Sequence, residues 1–522
     1  MTIAEMLARS ARMYPNDSAL IELKPGKKIR REITWKEFDE RANRVANALI
    51  ARGVGKGDKV VHLMMNSINW LEAYFGIIRT GAWAVPLNFR FTGRDIKYCA
   101  NIAEGKVMIL SEEFTQRVED IRSQLPTIKD YIFVGHNPPE AMESFEDVIS
   151  GVSSRPVDIE LRDEEPCGLY FTSGTTGAPK PIILTHKNME CAAITENRHH
   201  HQTHEDNFIL LPPLYHTGAK MHWFGSLIVG SRATILTEIS PRYIFEAVHQ
   251  ERGTVVWLLV PWAHDIVRAI DSGELRKEDY DLSCWRLMHM GAQPIPPSLI
   301  RHWKEHFPNI QYDTSYGLSE STGPGCIDLG MENGHKIEAT GKAGFNWEVR
   351  IVDDSGNDVA SSEIGEIVVR GNGVMKGYYK NPEKTAETIK DGWLYTDDMA
   401  RMDEEGFIYV IDRKKDVINR GGENIFPVEV EQALLSHPKI YDVAVIGFPD
   451  ERLGEMVGAV IELKPHETLT EREVNAFCEH NLPRYKRPQH IIFDKVLRNP
   501  TGKIEKARMR QKYADSQESF RV

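Results

Sequence analysis

Cysteine is scarce in this chain. Six occur among 522 residues (Cys99, Cys167, Cys191, Cys284, Cys326 and Cys478), scattered and without a CxxC pair. That excludes a disulfide-framed scaffold and a cysteine-rich zinc module, and it predicts reduced, mostly buried thiols. Long hydrophobic runs are missing too. The opening MTIAEMLARSARMYPNDSAL holds no sustained apolar stretch, and the longest strongly apolar run, Val255 to Ala263, falls far short of the ~20 residues a bilayer demands. The expectation is a cytoplasmic protein with no transmembrane helix. Positive charge is in deficit, 64 Lys+Arg against 76 Asp+Glu for a net −12, which argues against a general nucleic-acid binder. No short internal period marks a solenoid.

What is present is an ordinary globular composition, 41% hydrophobic and 27% charged. At about 150 residues per domain the length predicts roughly three to four domain-sized pieces. Residues 34 to 50, TWKEFDERANRVANALI, set Trp35, Phe38, Ala42, Val45, Ala46 and Leu49 on one helical face behind a Thr34/Glu37 capping box. Strand-like KVVHLMM, AWAVPLN, KVMILSE, YIFVG, CGLYFTSG, FILLPPL, RATIL, VVWLLVP and RLMHMG then alternate with helical patterns. This predicts βαβ units around a mostly parallel sheet, an α/β fold. After about residue 340 the segments EVRIVDDSGN, GEIVVRG and GFIYVIDRKKD predict a β-rich subdomain. The tail reads as strand, helix, strand and helix through VEVEQALLS, DVAVIGFPD, GAVIELK and EREVNAFCEHN, a small α+β domain. The expected division is 1–412, with the β-rich part at about 340–412, and 413–522. Charge follows it: from Arg413 onward 19 Lys+Arg face 17 Asp+Glu, a net +2 that leaves −14 for the rest. Arg484 to Lys512 is the most basic stretch, suited to meeting a polyanionic small molecule.

The sharpest local signal is FTSGTTGAPK, Phe171 to Lys180, directly after strand-like CGLY. Small hydroxylated residues and glycines let backbone N–H groups crowd around phosphate oxygens, with Lys180 adding charge. It is not a Walker loop, because Pro181 follows Lys180 where Ser or Thr would be needed.

Taken in order, FTSGTTGAPK, SYGLSE (Ser315 to Glu320), LYTDD (Leu394 to Asp398), IDRKKDVINRGGENIFPVEVE (Ile411 to Glu431) and NPTGK (Asn499 to Lys503) resemble the acyl-adenylate-forming superfamily, in its AMP-forming acyl-CoA synthetase branch. The resemblance runs from Thr34 to Lys503. It implies a large α/β domain with a small mobile lid domain, and ATP/AMP, Mg2+ and coenzyme A as the groups handled beside a small carboxylic acid. Thr172, Ser173, Gly174, Thr175, Thr176 and Lys180 would hold phosphates, and Glu320 with Thr175 the magnesium. Ser315, Tyr316, Gly317 and Ser319, faced by Gly291, Ala292 and Gln293, would take the adenine. Asp398 would accept the ribose hydroxyls with Arg413 beside it. Lys503 would stabilise the carboxylate oxygen and α-phosphate during adenylation. Lys415 would be the hinge on which the lid rotates before thioester formation, and Gly421 and Gly422 would lie against the pantetheine arm. The acid itself would meet His216, Thr217, Gly218, Trp223, Ser321 and the strand VVWLLVPWA with Trp257 and Trp262. Bulky tryptophans favour a compact cyclic, aromatic or short to medium-chain acid.

The sequence departs from the family pattern in places. Pro181 removes a backbone donor, Ser319 stands for threonine, and Asp397 stands where glycine is usual, a position Asp tolerates at positive φ. RHHHQTH, Arg198 to His204, reads as a polar surface stretch rather than a metal site. Three functional readings stand side by side: an acid:CoA ligase, carnitine-type ligases included; an adenylating enzyme with another acceptor, such as a carrier protein; and a binding protein with decayed catalysis. The expected assembly is a monomer or homodimer.

Overall fold

The computed structural model describes residues 1–172, 179–498 and 504–514, and of Met221 and Ala514 the backbone alone. The chain divides into two compact units, Met1–Val349 with Val369–Tyr395, and Arg350–Val368 with Thr396–Val522.

The first unit carries two large sheets where one was expected. A nine-stranded sheet runs in the order Lys342–Ala343, Ile327–Asp328, Gln311–Tyr316, Leu287–Gly291, Val255–Leu259, Asn207–Leu210, Arg232–Leu236, Ser18–Lys24, Ile29–Thr34. Its six central strands are mutually parallel and its margins antiparallel. An eight-stranded sheet runs Gly377–Tyr378, Lys180–Thr185, Pro166–Thr172, Trp83–Pro86, Lys59–Leu63, Val107–Ser111, Asp130–Val134, Glu143–Ser144. A single twisted sheet rarely exceeds about ten strands, so seventeen strands split into two packed layers.

The helices between the sheets follow from local chemistry. Thr34 Oγ1 accepts from the Glu37 amide while the Glu37 carboxylate accepts from the Thr34 amide, starting helix Trp35–Ala51, which buries all six residues of the face read from the sequence. It packs on helix Ile68–Arg79, which is apolar nearly all round and buried accordingly. Gly76 makes that packing possible, since a Cβ there would collide with the Val45 side chain. The one carboxylate in the buried helix, Glu72, is held by Arg41 at 2.6 and 3.0 Å and by Arg31 at 3.1 Å.

The strand VVWLLVPWA ends sooner than its apolar run suggests. Val255–Leu259 is strand and Val260–Asp271 is helix, because Pro261 sits in the first turn, where its missing N–H costs nothing. Trp262 therefore rides on a helix, half-buried, and not on the strand.

Residues 347–413 contribute a five-stranded sheet of Trp347–Val352, Ile364–Gly371, Trp393–Met402 and Ile389–Lys390, with Ile408–Arg413 beside Trp393–Met402; Trp393–Met402 runs antiparallel to both Ile389–Lys390 and Ile408–Arg413. The tail differs from the strand–helix–strand–helix reading. VEVEQALL is a helix, Pro427–Leu435, and Ile440–Asp450 and Gly454–Leu463 are two long strands of one hairpin before helix Glu471–Asn481. The alternating Val-Glu pattern imitates a strand, but Val430 and Leu434 are buried four apart on one helical face behind Pro427. All six cysteines are free and five are buried. Among the described residues no helix is long and apolar enough to cross a membrane.

Candidate active site

Four neighbouring parallel strands of the nine-stranded sheet, Asn207–Leu210, Val255–Leu259, Leu287–Gly291 and Gln311–Tyr316, finish at one edge. Ligands of open α/β sheets bind at such carboxyl ends. Most of the sequence-derived residues of the first unit lie there. Gly291, Ala292 and Gln293 leave one strand, with Ala292 in the left-handed region at φ 72. Ser315, Tyr316 and Gly317 leave its neighbour, and Ser319 to Ser321 form a 3-10 turn just beyond. Backbones crowd here. A Cβ on Gly317 would run into the Gly323 carbonyl, and one on Gly323 (φ +108) would sit 3.1 Å from the Gly218 amide nitrogen. Ser321 locks the turn by accepting from the Leu318 amide at 2.8 Å.

Glu320 is half-buried, and its Oε1 accepts a hydrogen bond from the Tyr378 hydroxyl at 3.2 Å. Tyr378 was not singled out from the sequence; its only signal was an aromatic pair in KGYY. A carboxylate oriented by a phenol is a hard oxygen donor, which suits Mg2+. Thr172 and Lys180 face each other across the antiparallel pair on either side of residues 173–178, and Pro181 pairs with Phe171 while its carbonyl accepts from the Tyr379 amide at 2.9 Å. Ser173, Gly174, Thr175 and Thr176 lie outside the described residues.

His216 caps helix Thr217–Val229 from its N-terminal side, with Thr217 and Gly218 in the first turn. Behind it Lys220 is wholly buried; its ammonium donates to the carbonyls of Leu214 at 2.8 Å and His216 at 2.9 Å and lies over the Tyr170 ring at 4.6 Å. Burial drives its pKa well below the usual lysine value. The three tryptophans separate. Trp257 lies between the glycine-bearing segments: a Cβ on Gly218 would be 3.3 Å from its ring and one on Gly291 3.8 Å from its Nε1. Trp223 is fully buried in the core, 5.3 Å from Phe224 between ring centres. Trp262 stands apart on the following helix.

In the second unit, strand register places Asp398 opposite Arg413, and Arg413 Nε lies 3.3 Å from Asp398 Oδ1. Asp398 is 5% exposed. Asp397 takes φ 59, the left-handed conformation its position demands, and its amide donates to Glu366 Oε1 at 3.0 Å. Glu366 also binds Lys414 at 3.1 Å and was missed from the sequence, where it is one acid in a short strand. Lys415 lies in the 3-10 turn Lys414–Asp416. Gly421 (φ 63) and Gly422 (φ 90) form the two-residue turn of hairpin Ile418–Arg420/Glu423–Ile425, which requires positive φ at both positions. Much of the basic stretch is neutralised within the unit. Lys486 binds Glu429, Arg498 binds Asp442, buried Lys506 binds Glu431, Arg510 binds Asp416 and Lys512 binds Asp494, at 2.6 to 2.9 Å. Lys503 lies outside the described residues, between the paired Arg498 and Ile504.

RHHHQTH is not a surface stretch throughout. His201 is exposed, but His200 is completely buried, 3.1 Å from His289 Nδ1, because the helix His186–His199 turns that position inward.

The AMP-binding enzyme model matches residues 7–379 and the AMP-binding enzyme C-terminal domain model residues 429–503. A long-chain-fatty-acid–CoA ligase of Mycobacterium tuberculosis is 30% identical, with 98% of each chain covered. A feruloyl-CoA synthase of an Amycolatopsis species is 32% identical over 97% of this chain and 98% of its own. The crystal structure of an anthranilate CoA ligase with anthranoyl-AMP superposes with a TM-score of 0.90 at 26% identity, covering 99% of this chain and 98% of that one.

Proposed function

The chain belongs to the AMP-binding enzyme family, and from that premise we propose that it is an AMP-forming acid:CoA ligase working through an acyl-adenylate. In the first step a carboxylate oxygen attacks the α-phosphorus of ATP, the α–β phosphoanhydride bond breaks, and pyrophosphate leaves. In the second the CoA sulfur attacks the acyl carbon, its proton goes to solvent, and AMP leaves. The observation that carries the reading is the convergence of Gly291–Gln293, Ser315–Ser321 and His216–Gly218 on one carboxyl edge of parallel strands, with Glu320 held by Tyr378.

The roles follow the chemistry. The FTSGTTGAPK segment, with Lys180, binds phosphates; Tyr316 and Gly317 with Gly291 to Gln293 take the adenine; Asp398, steadied by Arg413, accepts the ribose hydroxyls. Glu320 and Thr175 would hold Mg2+, which when bound supplies charge neutralisation at the phosphates. Lys503 stabilises charge developing at the α-phosphate. The Gly421–Gly422 turn, with open space beside Gly422, gives the pantetheine arm a backbone surface. Trp257, lying against Gly218 and Gly291, closes the acyl pocket and favours a compact acid, cyclic, aromatic or of short to medium chain. The molecule acts in the cytoplasm as a monomer or homodimer.

Incubation with ATP, Mg2+ and a mixed acid library, read by mass spectrometry with and without CoA, tests the assignment. The expected result is an acyl-AMP without CoA and a thioester with it; pyrophosphate release that never yields a thioester would reassign the acceptor. Lys503→Ala should abolish adenylate formation and largely spare thioester formation from supplied acyl-adenylate. Equal loss of both half-reactions would make Lys503 a structural residue.

A further inference from the structure

Beneath the carboxyl edge of the nine-stranded sheet lies a cluster that adenylation and thioester formation do not use. Glu196 and His200, four apart at the end of one helix, meet His222 from helix Thr217–Val229 and His289 from strand Leu287–Gly291, and one donor atom from each lies within 4.8 Å of all the others. None of the four is more than 1% exposed. Glu196 Oε2 is 2.6 Å from His222 Nδ1 and 3.3 Å from His200 Nε2, and His200 Nε2 is 3.1 Å from His289 Nδ1. The edges of a zinc tetrahedron with bonds of about 2.0–2.1 Å are about 3.3 Å, so the donors stand close to where a cation would draw them.

Hydrogen bonding leaves the cluster unfinished. Among the described residues neither oxygen of Glu196 has a hydrogen-bond partner, and His222 Nδ1, although near, lies outside hydrogen-bonding geometry. A buried carboxylate in that state is costly unless something positive pairs with it. No Lys or Arg among the described residues forms an ion pair with Glu196 or with its neighbours Asp313 and Asp328. Asp313 Oδ2, 3.4 Å from His289 Nδ1, adds a second buried carboxylate, itself without a hydrogen bond at that oxygen. His289 Nε2 lies 3.2 Å from Ser315 Oγ, an outer contact of the kind that orients a metal-binding histidine.

We propose that Glu196, His200, His222 and His289 bind a divalent transition metal ion, Zn2+ foremost, in a closed structural site separate from the Mg2+ position at Glu320. Three imidazoles and a carboxylate are nitrogen-rich donors that select zinc over magnesium or calcium. Zn2+ against Glu196 and Asp313 balances the charge. The ion ties two helices to the strand that delivers Gly291 to Gln293, so it fixes the floor under the candidate active site, next to Trp257, whose ring is centred 4.2 Å from that of His222.

The test uses the full-length protein, made without a polyhistidine tag and passed over a desalting column, with metals counted by plasma mass spectrometry. About one zinc per chain is expected, as for a structural site. His222→Ala and His289→Ala should lose it at least tenfold, while His302→Ala, in the partly exposed Asp271/His302/His306 group, should keep it. If the cluster variants do not fold, wild type decides alone: after chelation, added Co2+ should give the visible bands of tetrahedral cobalt and restore the melting temperature. Negligible transition metal, both as isolated and after equilibration with excess Zn2+ followed by desalting, would overturn the proposal. So would stoichiometric zinc in folded His222→Ala.

Discussion

Fifty-eight residues separate Glu320 from Tyr378, yet the phenol donates to the carboxylate at 3.2 Å. A hydrogen bond to a charged group is worth about 1.5–3 kcal/mol, so Tyr378→Phe should lower kcat/KM for MgATP by about tenfold or more. Its melting temperature should stay within a degree or two of wild type, since Tyr378 is only half-buried. Unchanged kinetics would mean that the bond does not orient Glu320 in the working enzyme. Trp257 offers a second test. Trp257→Ala should open the pocket, raising kcat/KM for longer acids relative to the native one by about tenfold, because a methylene-sized contact changes discrimination by about 1–3 kcal/mol. It should also lower stability, being 5% exposed, whereas Trp262→Ala on the neighbouring helix should do neither. A destabilised Trp257→Ala with an unaltered acid profile would return that residue to the core. At this scale residues such as Glu320, Asp398 and Arg413 could be proposed from the sequence because local strings carry them. Tyr378, Glu366 and the Glu196 cluster could not, since their meaning lies in partners tens of residues away. Glu196 and His200 did leave a trace, an acid and an imidazole four apart on a helix, but three successive histidines disguised which one turns inward.

The helix announced by its cap was read correctly, whereas one segment read from alternation, VEVEQALLS, was not. Thr34 and Glu37 close a capping box whose hydrogen bonds depend on four consecutive residues, so the sequence contains the whole cause. VEVEQALL alternates like a strand, and only packing of Val430 and Leu434 against the hairpin Ile440–Asp450/Gly454–Leu463 makes it a helix. Pro261 could have warned that VVWLLVPWA changes structure midway, because proline belongs to the first turn of a helix far more readily than to a central strand. Close helix packing also rests on a residue that no periodicity highlights. Gly76→Ala would push a methyl into Val45 where Trp35–Ala51 meets Ile68–Arg79. Overpacking of this kind costs about 1–3 kcal/mol, more than the better helix propensity of alanine returns, so the midpoint of urea unfolding should fall. Pairing it with Val45→Ala should recover part of the loss. An unaffected midpoint in the single mutant would show that the two helices separate without strain.

For the whole molecule, alternating strands and helices established an α/β chain, but not that seventeen strands would divide into sheets of nine and eight. Which strands pair is decided between distant segments: Asn207–Leu210 lies between Arg232–Leu236 and Val255–Leu259, an order that no local pattern encodes. The proposed two-step reaction makes its own demand at this scale, because a lysine near the end of the chain and a glycine turn before it are needed in different steps. Lys415 is the proposed pivot between them. Its position suits a test by proline. It is the second residue of the turn Lys414–Asp416, after the cap Arg413, and proline is accommodated in a first helical turn, where it also fixes φ near −65°. Lys415→Pro should therefore fold with a near-native melting temperature and retain most ATP–pyrophosphate exchange, the adenylation half-reaction. Thioester formation should fall by one to several orders of magnitude, because each 1.36 kcal/mol added to the barrier of rotation costs about tenfold in rate. Measuring the two half-reactions separately on one preparation distinguishes this from general damage. If both slow together, the substitution has disturbed the nucleotide site through neighbouring Arg413 and Asp398; if neither slows, the chain turns elsewhere than at Lys415.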